Sequence, residues 1–237
     1  MTNSDSKKSN TKTKIIAWFS YRKTQTEPYL LRYGSILNKK GKRTLKKIIF
    51  DVDDTLWSLN KKICNELDIP YENITTFSVH ENPFLTERER QQMLSKYSDP
   101  NSFKNITWFD GIEQIENIKD ADIYLNSNSS NELCSAEKRQ QLRAVLNIPD
   151  DHITINTTGN KKKDIVKKSI DEDTFIFVDD SPHNVSMSPA KYNIMICTPW
   201  NQSENGKTIV KDKNVLYCKT LIEAINLVQK LINNERS

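Results

Sequence analysis

Three features that would each place a protein in a particular class are missing from this sequence. No apolar run approaches the roughly 18 residues that a membrane-spanning helix needs. The first residues, MTNSDSKKSNTKTK, contain no apolar stretch of the secretory type. The four cysteines lie far apart, with no CxxC pair and no histidine at metal-ligand spacing: Cys64, Cys134, Cys197 and Cys218. These absences predict a cytoplasmic protein with reduced thiols and no membrane contact.

Charge is distributed unevenly along the chain. Residues 1–47 hold 13 Lys and Arg against two acidic residues, about +11, while the whole chain has a net charge of +4. The remainder is therefore acidic, at about −7. We interpret residues 1–46 as a basic extension that is at least partly disordered, with contact to nucleic acid as the alternative.

Beyond this extension, short apolar runs alternate with helical patterns. The predicted strands are KIIFDV, ADIYLN, HITIN, TFIFV, NIMIC and NVLYC, and the helical segments between them include ELCSAEKRQQLRAVLNI, KKDIVKKSI and LIEAINLVQKLINN. Such alternation predicts an α/β fold: a Rossmann-like parallel sheet with helices on both faces.

One interval interrupts this rhythm. About 65 residues separate the first predicted strand from ADIYLN, far more than a crossover connection requires. Within it, FLTERERQQMLSKY is helical, with Thr86 and Glu89 at capping-box spacing. We therefore predict a core made of residues 47–57 and 119–237, with a small helical cap, residues 58–118, inserted after the first strand.

Polar side chains follow several of the predicted strands. Asp51, Asp53 and Asp54 follow the first, Ser127 and Asn128 follow ADIYLN, and Asp179 and Asp180 follow TFIFV; a lysine run, 161–163, opens a helix. Ligands of open parallel sheets bind at the carboxyl ends of strands, so these groups are expected to converge. Clustered carboxylates repel one another, and Mg²⁺ bound together with a phosphate relieves that repulsion. A lysine and a hydroxyl would hold the remaining phosphoryl oxygens.

The segment IIFDVDDTL resembles the first signature of the haloacid dehalogenase-like (HAD) phosphohydrolases, a hydrophobic run followed by D-x-D-x-[T/V]. The other three motifs of that superfamily occur in order, so that the resemblance spans about residues 47–200. It implies the HAD fold and a Mg²⁺-dependent phosphatase that acts through an aspartyl-phosphate.

The resemblance also implies a role for each motif residue. Asp51 would be the nucleophile, and Asp53 would be the general acid and base, with its backbone carbonyl on Mg²⁺. Ser127 would hold the phosphoryl group, with Asn128 beside it. The metal site would consist of Asp51, Asp53, Asp179 and Asp180. The catalytic lysine would come from Lys161, Lys162 or Lys163; we favour Lys163, where the apolar helix period begins.

Details outside these motifs are similar to the 5′(3′)-deoxyribonucleotidase family. They are DDSPHN (179–184), CTPWNQ (197–202) and YSDPNSFKNITWFDGIEQIENI (97–118). This similarity implies a nucleoside monophosphate as the small phosphorylated substrate, with an aromatic side chain of the cap stacked on the base. Phe103 and Trp108 are the candidates, although each could equally be a core residue of the cap.

Three other functions remain open at this point, one of them a phosphomutase, which the motifs alone do not exclude. The chain could be a HAD phosphatase for another small phosphoester, a phosphoprotein or a nucleic-acid end, with the basic extension as an anchor. It could instead be a binding protein built on the same fold, but such a protein would not need Asp51, Asp53, Asp179 and a lysine together.

Overall fold

Six parallel strands form the centre of the fold in the computed structural model, which describes residues 45–157, 170, 173–202 and 215–235. The strands are β1 Lys46–Asp51, β2 Ala121–Asn128, β3 Ile153–Asn156, β4 Thr174–Asp179, β5 Tyr192–Ile196 and β6 Val215–Cys218. The helices are α1 Leu59–Leu67, α2 Glu87–Tyr97, α3 Glu132–Val145, α4 Pro182–Met187 and α5 Leu221–Asn234. Short 3₁₀ helices span Tyr71–Asn73, Val79–Glu81, Pro100–Phe103, Ile112–Asn117 and Asp150–His152.

The sheet is covered on both faces, which confirms the predicted fold class. Successive residues of a strand point to opposite faces, so the apolar run of β1 serves two cores. Ile48 and Phe50 belong to the larger apolar cluster, which also contains residues of α3 and α5. Ile49 instead joins a second cluster with Phe177 and Ala190. Every residue of β4 is buried, as expected for a central strand of a parallel sheet.

The order of the strands across the sheet is β3-β2-β1-β4-β5-β6. All five neighbouring pairs are parallel, so the carboxyl ends of the strands lie along one edge of the sheet. The chain moves outward from β1 to β3 and then crosses back to β4 on the other side of β1. The direction of winding therefore changes between β1 and β4, and the resulting crevice is where sheets of this kind bind ligands.

The segment inserted after β1 contains α1, α2 and three of the 3₁₀ helices. Thr86 and Glu89 form the predicted capping box at the start of α2. The apolar side chains Ile63, Cys64 and Met93 are fully buried and belong to the same cluster as the sheet residues. Burial against the sheet, rather than a separate core, therefore stabilises this small segment.

Two short stretches of backbone pair where the inserted segment begins and ends. The amide of Ser58 donates to the carbonyl of Thr107 at 2.9 Å, and the amide of Phe109 donates to the carbonyl of Leu56 at 2.9 Å. We call these paired stretches, 56–58 and 107–109, the hinge. It brackets residues 58–107, whereas the predicted cap ran to residue 118.

The last residues of the predicted cap lie against α5. Gly111, with φ of +86°, leads into the 3₁₀ helix Ile112–Asn117. A Cβ atom at this position would lie 2.5 Å from Cγ1 of Ile222, so the close approach to α5 requires a glycine here.

Some predictions concern residues outside the described part of the chain. These are the basic extension up to residue 44, most of KKDIVKKSI and, with it, Lys161, Lys162 and Lys163. Within the described ranges, no helix combines the length and the apolar character that crossing a membrane requires.

Candidate active site

Three carboxylates, the buried Asp179 and Asp180 and the partly exposed Asp51, meet at the crevice between β1 and β4. Asp51 is the last residue of β1, Asp179 is the last of β4, and Asp180 follows directly. One oxygen from each of the three lies within 4.8 Å of the others. The sequence predicted this convergence because parallel neighbours end at the same edge.

Burial raises the pKa of all three carboxyl groups, and repulsion between their charges adds to the shift for Asp51 and Asp180. Burial is the largest cause for Asp51, whose pKa is held well above its ordinary value, and the charges of Asp179 and Asp180 add to it. Burial also raises the pKa of Asp179 from 3.8 to about 7, although hydrogen bonds to its carboxylate oppose the shift. The pKa of Asp180 is raised by burial and then by the charge of Asp179. Three anions in this position need a compensating positive charge.

The start of α4 fixes the orientation of Asp179. One carboxylate oxygen accepts from the amide of Ser181 at 2.6 Å, and the other accepts from Nδ2 of Asn184 at 2.8 Å. Ser181 also caps α4, accepting from the amide of Asn184 at 3.3 Å, and Pro182 occupies the first position of the helix. The segment DDSPHN thus builds a short helix whose first turn holds the carboxylate in place.

Asp180 is held by residues of the loop after β5. Nε1 of the buried Trp200 donates to one of its oxygens at 2.8 Å, and Thr55 donates weakly to the other at 3.5 Å. Nδ2 of Asn201 donates to the backbone carbonyl of Asp180 at 2.9 Å and to that of Ile196 at 2.5 Å. The segment CTPWNQ therefore acts on the candidate metal site through hydrogen bonds to Asp180.

This group of donors fits a hard divalent cation. It offers only carboxylate oxygens, whereas zinc and other softer metals are commonly bound through cysteine or histidine. Mg²⁺ is usually bound by one or two carboxylates together with waters and phosphate oxygens. Asp51, Asp179 and Asp180 can supply those carboxylates.

Asp53 lies beside this cluster and is held at both of its oxygens. Nε1 of Trp57 donates to Oδ1 at 2.8 Å. Oδ2 forms an ion pair with the ammonium group of Lys138 and lies 3.4 Å from the hydroxyl of Ser127. The side chain of Asp53 retains 27% of its exposure, so it can be reached from the crevice.

Lys138, on α3, is a site residue that the sequence analysis did not identify. Only 1% of it is exposed, and its ammonium donates to Asp53, to Oγ of Ser127 at 3.0 Å and to the carbonyl of Asn128 at 2.5 Å. An ammonium group has three protons, so these three acceptors satisfy it completely. Its spacing could have revealed it: Lys138 lies four residues from both Cys134 and Leu142, on the buried face of α3.

Ser127 and Asn128 are the last residues of β2; they follow Asn126, the partner of Asp51, and pair with β3. Ser127 is 1% exposed, and its hydroxyl contacts both Lys138 and Asp53. Oδ1 of Asn128 is buried and has no hydrogen-bond partner among the residues that the structure describes. A buried amide oxygen of this kind is an acceptor available to a ligand or to another part of the chain.

The two aromatic candidates for substrate stacking differ in their surroundings. Phe103 is 2% exposed, and the ammonium of Lys138 lies 4.9 Å from its ring centroid. Trp108 is half-buried and packs edge-on against Trp57, with 4.9 Å between ring centroids. Trp108 therefore has the more accessible surface of the two, and stacking on a base remains a prediction for both.

No model of a known protein family and no curated protein matches the chain. Similar solved structures include a haloacid dehalogenase-like protein from Agrobacterium tumefaciens, with 14% identity and a TM-score of 0.49 over 80% of this chain and 100% of that chain. A β-phosphoglucomutase from Clostridium difficile has 14% identity and a TM-score of 0.45 over 81% and 99% of the two chains. A HAD hydrolase from Bacillus subtilis, crystallised with magnesium, has 14% identity and a TM-score of 0.45 over 79% and 99%.

Proposed function

We propose that this protein is a Mg²⁺-dependent phosphomonoesterase of the HAD type that uses Asp51 as its nucleophile. The observation that carries the proposal is the convergence of Asp51, Asp179 and Asp180 within 4.8 Å of one another at the crevice of a parallel sheet. Asp53 and Lys138 lie beside them as an anion and a cation, which adds an acid–base group and a positive charge to the carboxylates. A binding protein would have no need for this combination of buried charges, which is costly to maintain.

The reaction needs two displacements at phosphorus. In the first, a carboxylate oxygen of Asp51 attacks the phosphoryl group, the bond to the leaving oxygen breaks, and Asp53, which enters this step in its protonated form, gives its proton to that oxygen. In the second, Asp53 takes a proton from water, the water oxygen attacks phosphorus, and the bond to Asp51 breaks to release phosphate. An acid at position 53 favours a phosphatase over a dehalogenase, because a halide leaving group needs no proton.

Opposing charges are the main obstacle to the first displacement. Bound Mg²⁺ would neutralise the charges of the three carboxylates and of the phosphoryl group. Among the described residues, the buried ammonium of Lys138 adds a positive charge beside the crevice, and the hydroxyl of Ser127 can donate to a phosphoryl oxygen. Lys163, which lies outside the described residues, is proposed as a second cation of the site.

For the substrate, we propose a nucleoside monophosphate, as in the 5′(3′)-deoxyribonucleotidases. The carboxylates contact only the phosphoryl group, so that discrimination between substrates must come from residues that reach the rest of the molecule. The half-buried Trp108 lies in the hinge, directly after the inserted segment 58–107, and an indole can stack on a base. The same centre would hydrolyse other small phosphoesters, so that the choice of substrate depends on these residues beyond the carboxylates.

The test is a set of nucleoside monophosphates and sugar phosphates assayed for phosphate release with Mg²⁺ and with EDTA. We expect release that requires Mg²⁺ and is abolished in Asp51→Asn, because the isosteric amide cannot attack phosphorus. Full activity in EDTA would contradict the metal site, and a tenth or more of wild-type activity in Asp51→Asn would contradict the nucleophile. If phosphate is released faster from sugar phosphates than from every nucleotide, the phosphatase reaction is supported and the nucleotide substrate is contradicted.

A further inference from the structure

Trp57 follows the acidic motif in the segment DVDDTLW, and neither the metal site nor the proposed reaction accounts for it. Its side chain is fully buried at the base of the hinge. A buried indole N–H needs an acceptor, and Nε1 has one in Oδ1 of Asp53, at 2.8 Å. The backbones of Asp53 and Trp57 also form an isolated parallel bridge, which holds the two residues next to each other independently of the side-chain hydrogen bond.

The hinge in turn holds Trp57 in place. Trp57 and Trp108 are directly opposite in an antiparallel bridge, and their rings pack edge-on. The hydrogen bonds from Ser58 to Thr107 and from Phe109 to Leu56 flank this pair on both sides. The indole is therefore fixed by the entry and the exit of the inserted segment together.

We propose that Trp57 is a positioning residue that orients the carboxylate of Asp53 for proton transfer; this role rests on the proposed phosphatase function. An indole N–H can only donate, so Oδ1 is committed as an acceptor and Oδ2 is directed toward Ser127, Lys138 and the crevice. Without the indole, Oδ1 loses its donor, and only the contacts of Oδ2 with Lys138 and Ser127 restrain rotation about the Cβ–Cγ bond, so that the orientation of the carboxylate is less well defined. Proton transfer depends strongly on such geometry.

The dependence on leaving group distinguishes this role from a structural one. Phenyl phosphate and 4-nitrophenyl phosphate have nearly the same shape, but phenolate needs protonation much more than 4-nitrophenolate does. Trp57→Phe should therefore lower kcat/KM for phenyl phosphate by roughly ten- to a hundred-fold, and for 4-nitrophenyl phosphate by a clearly smaller factor. Benzothienylalanine inserted at position 57, which keeps the ring shape but lacks the N–H, should give the same pattern without a cavity.

Trp200→Phe is the matched control. It removes the same type of donor at the same 2.8 Å distance, but from Asp180 in the candidate metal site. This variant should lower kcat/KM by the same factor for the two substrates, because the metal site acts on the phosphoryl group that they share. Equal losses in the Trp57 variants as well would overturn the positioning role.

A measurement without turnover separates this inference from the proposed function. In ¹H–¹⁵N spectra, Asp53→Ala should shift the indole N–H resonance of Trp57 and leave that of Trp200 nearly unchanged. If the wild type releases no phosphate from any substrate, the proposed function and the catalytic role of Trp57 both fail, whatever the spectra show. If the wild type is active and the Trp57 resonance does not respond to Asp53→Ala, only the inference about Trp57 fails.

Discussion

The ion pair between Lys138 and Asp53 should contribute measurably to the stability of the fold as well as to the site. Replacing Lys138 with Met keeps most of the length of the side chain but removes its charge. The carbonyl of Asn128 and the hydroxyl of Ser127 then lose a donor, and Asp53 loses its cation. The contact with Phe103 is retained as an apolar one.

The size of the effect follows from the burial of the two partners. Breaking a buried ion pair from one side costs about 3–5 kcal/mol when the remaining charge stays dry. The side chain of Asp53 is 27% exposed, so water can solvate part of its charge, and we expect Lys138→Met to cost about 2–3 kcal/mol. Asp53→Asn leaves the opposite partner, a lysine with a side chain only 2% exposed, and should cost at least as much.

A double-mutant cycle measures the pair itself. Urea unfolding of the wild type, the two single variants and the double variant should give a coupling energy of about 2–3 kcal/mol, at the upper end of values for neighbouring residues. The exposed pair between Lys96 and Glu66, at 2.7 Å, is the control and should give less than about 1 kcal/mol. Additive losses, or a coupling no larger than that of the control, would refute the buried ion pair.

Four other predictions concern the metal site and the aromatic residues. Without metal, the raised pKa of Asp179, about 7, means that the folded state binds a proton more tightly than the unfolded state does. Its contribution to the free energy of unfolding is therefore fully present below pH 3.8 and lost as the pH rises through 7; Tm in EDTA should fall between about pH 4 and pH 7. Mg²⁺ should raise Tm more at the higher pH, since proton loss leaves the carboxylates of Asp51, Asp179 and Asp180 free to bind it; an equal gain at both pH values would contradict the assigned site. Trp108→Ala should lower kcat/KM for a nucleotide by roughly ten- to a hundred-fold while sparing 4-nitrophenyl phosphate, if its indole stacks on the base; equal losses would indicate a damaged fold. Phe103→Ala should instead reduce the free energy of unfolding by about 3–5 kcal/mol, measured in urea, because the Phe103 ring is buried. A variant that is as stable as the wild type but has a lower kcat/KM for nucleotides alone would indicate that Phe103 stacks on the base.

The sheet could be predicted from the sequence because its signals are local. Runs such as KIIFDV and TFIFV are apolar throughout, as strands buried on both faces are, and their carboxyl ends carry Asp51 and Asp179. Once the sheet is parallel, those residues have to meet at one edge. The capping box of Thr86 and Glu89 is equally local, and it was predicted correctly.

The contacts around Asp53 could not be predicted in this way. Lys138 is 85 residues away in sequence, and a lysine on a helix is usually a solvated charge, so only its position among Cys134 and Leu142 suggested burial. Trp57 resembles a core aromatic in the sequence, and its hydrogen bond depends on side-chain direction rather than on pattern. The pairing of 56–58 with 107–109 was not predicted either, because it is a long-range contact with no strand-like sequence.

Formation of an aspartyl-phosphate at Asp51 is the central claim, and chemical trapping tests it most directly. The protein is mixed with Mg²⁺ and a substrate that it hydrolyses, quenched during turnover, and treated with borohydride, which reduces an acyl phosphate to an alcohol. Peptide mapping by mass spectrometry should then find homoserine at position 51, and only when substrate was present. An active enzyme that yields unmodified Asp51, or homoserine at Asp53 or Asp179 instead, would contradict the account.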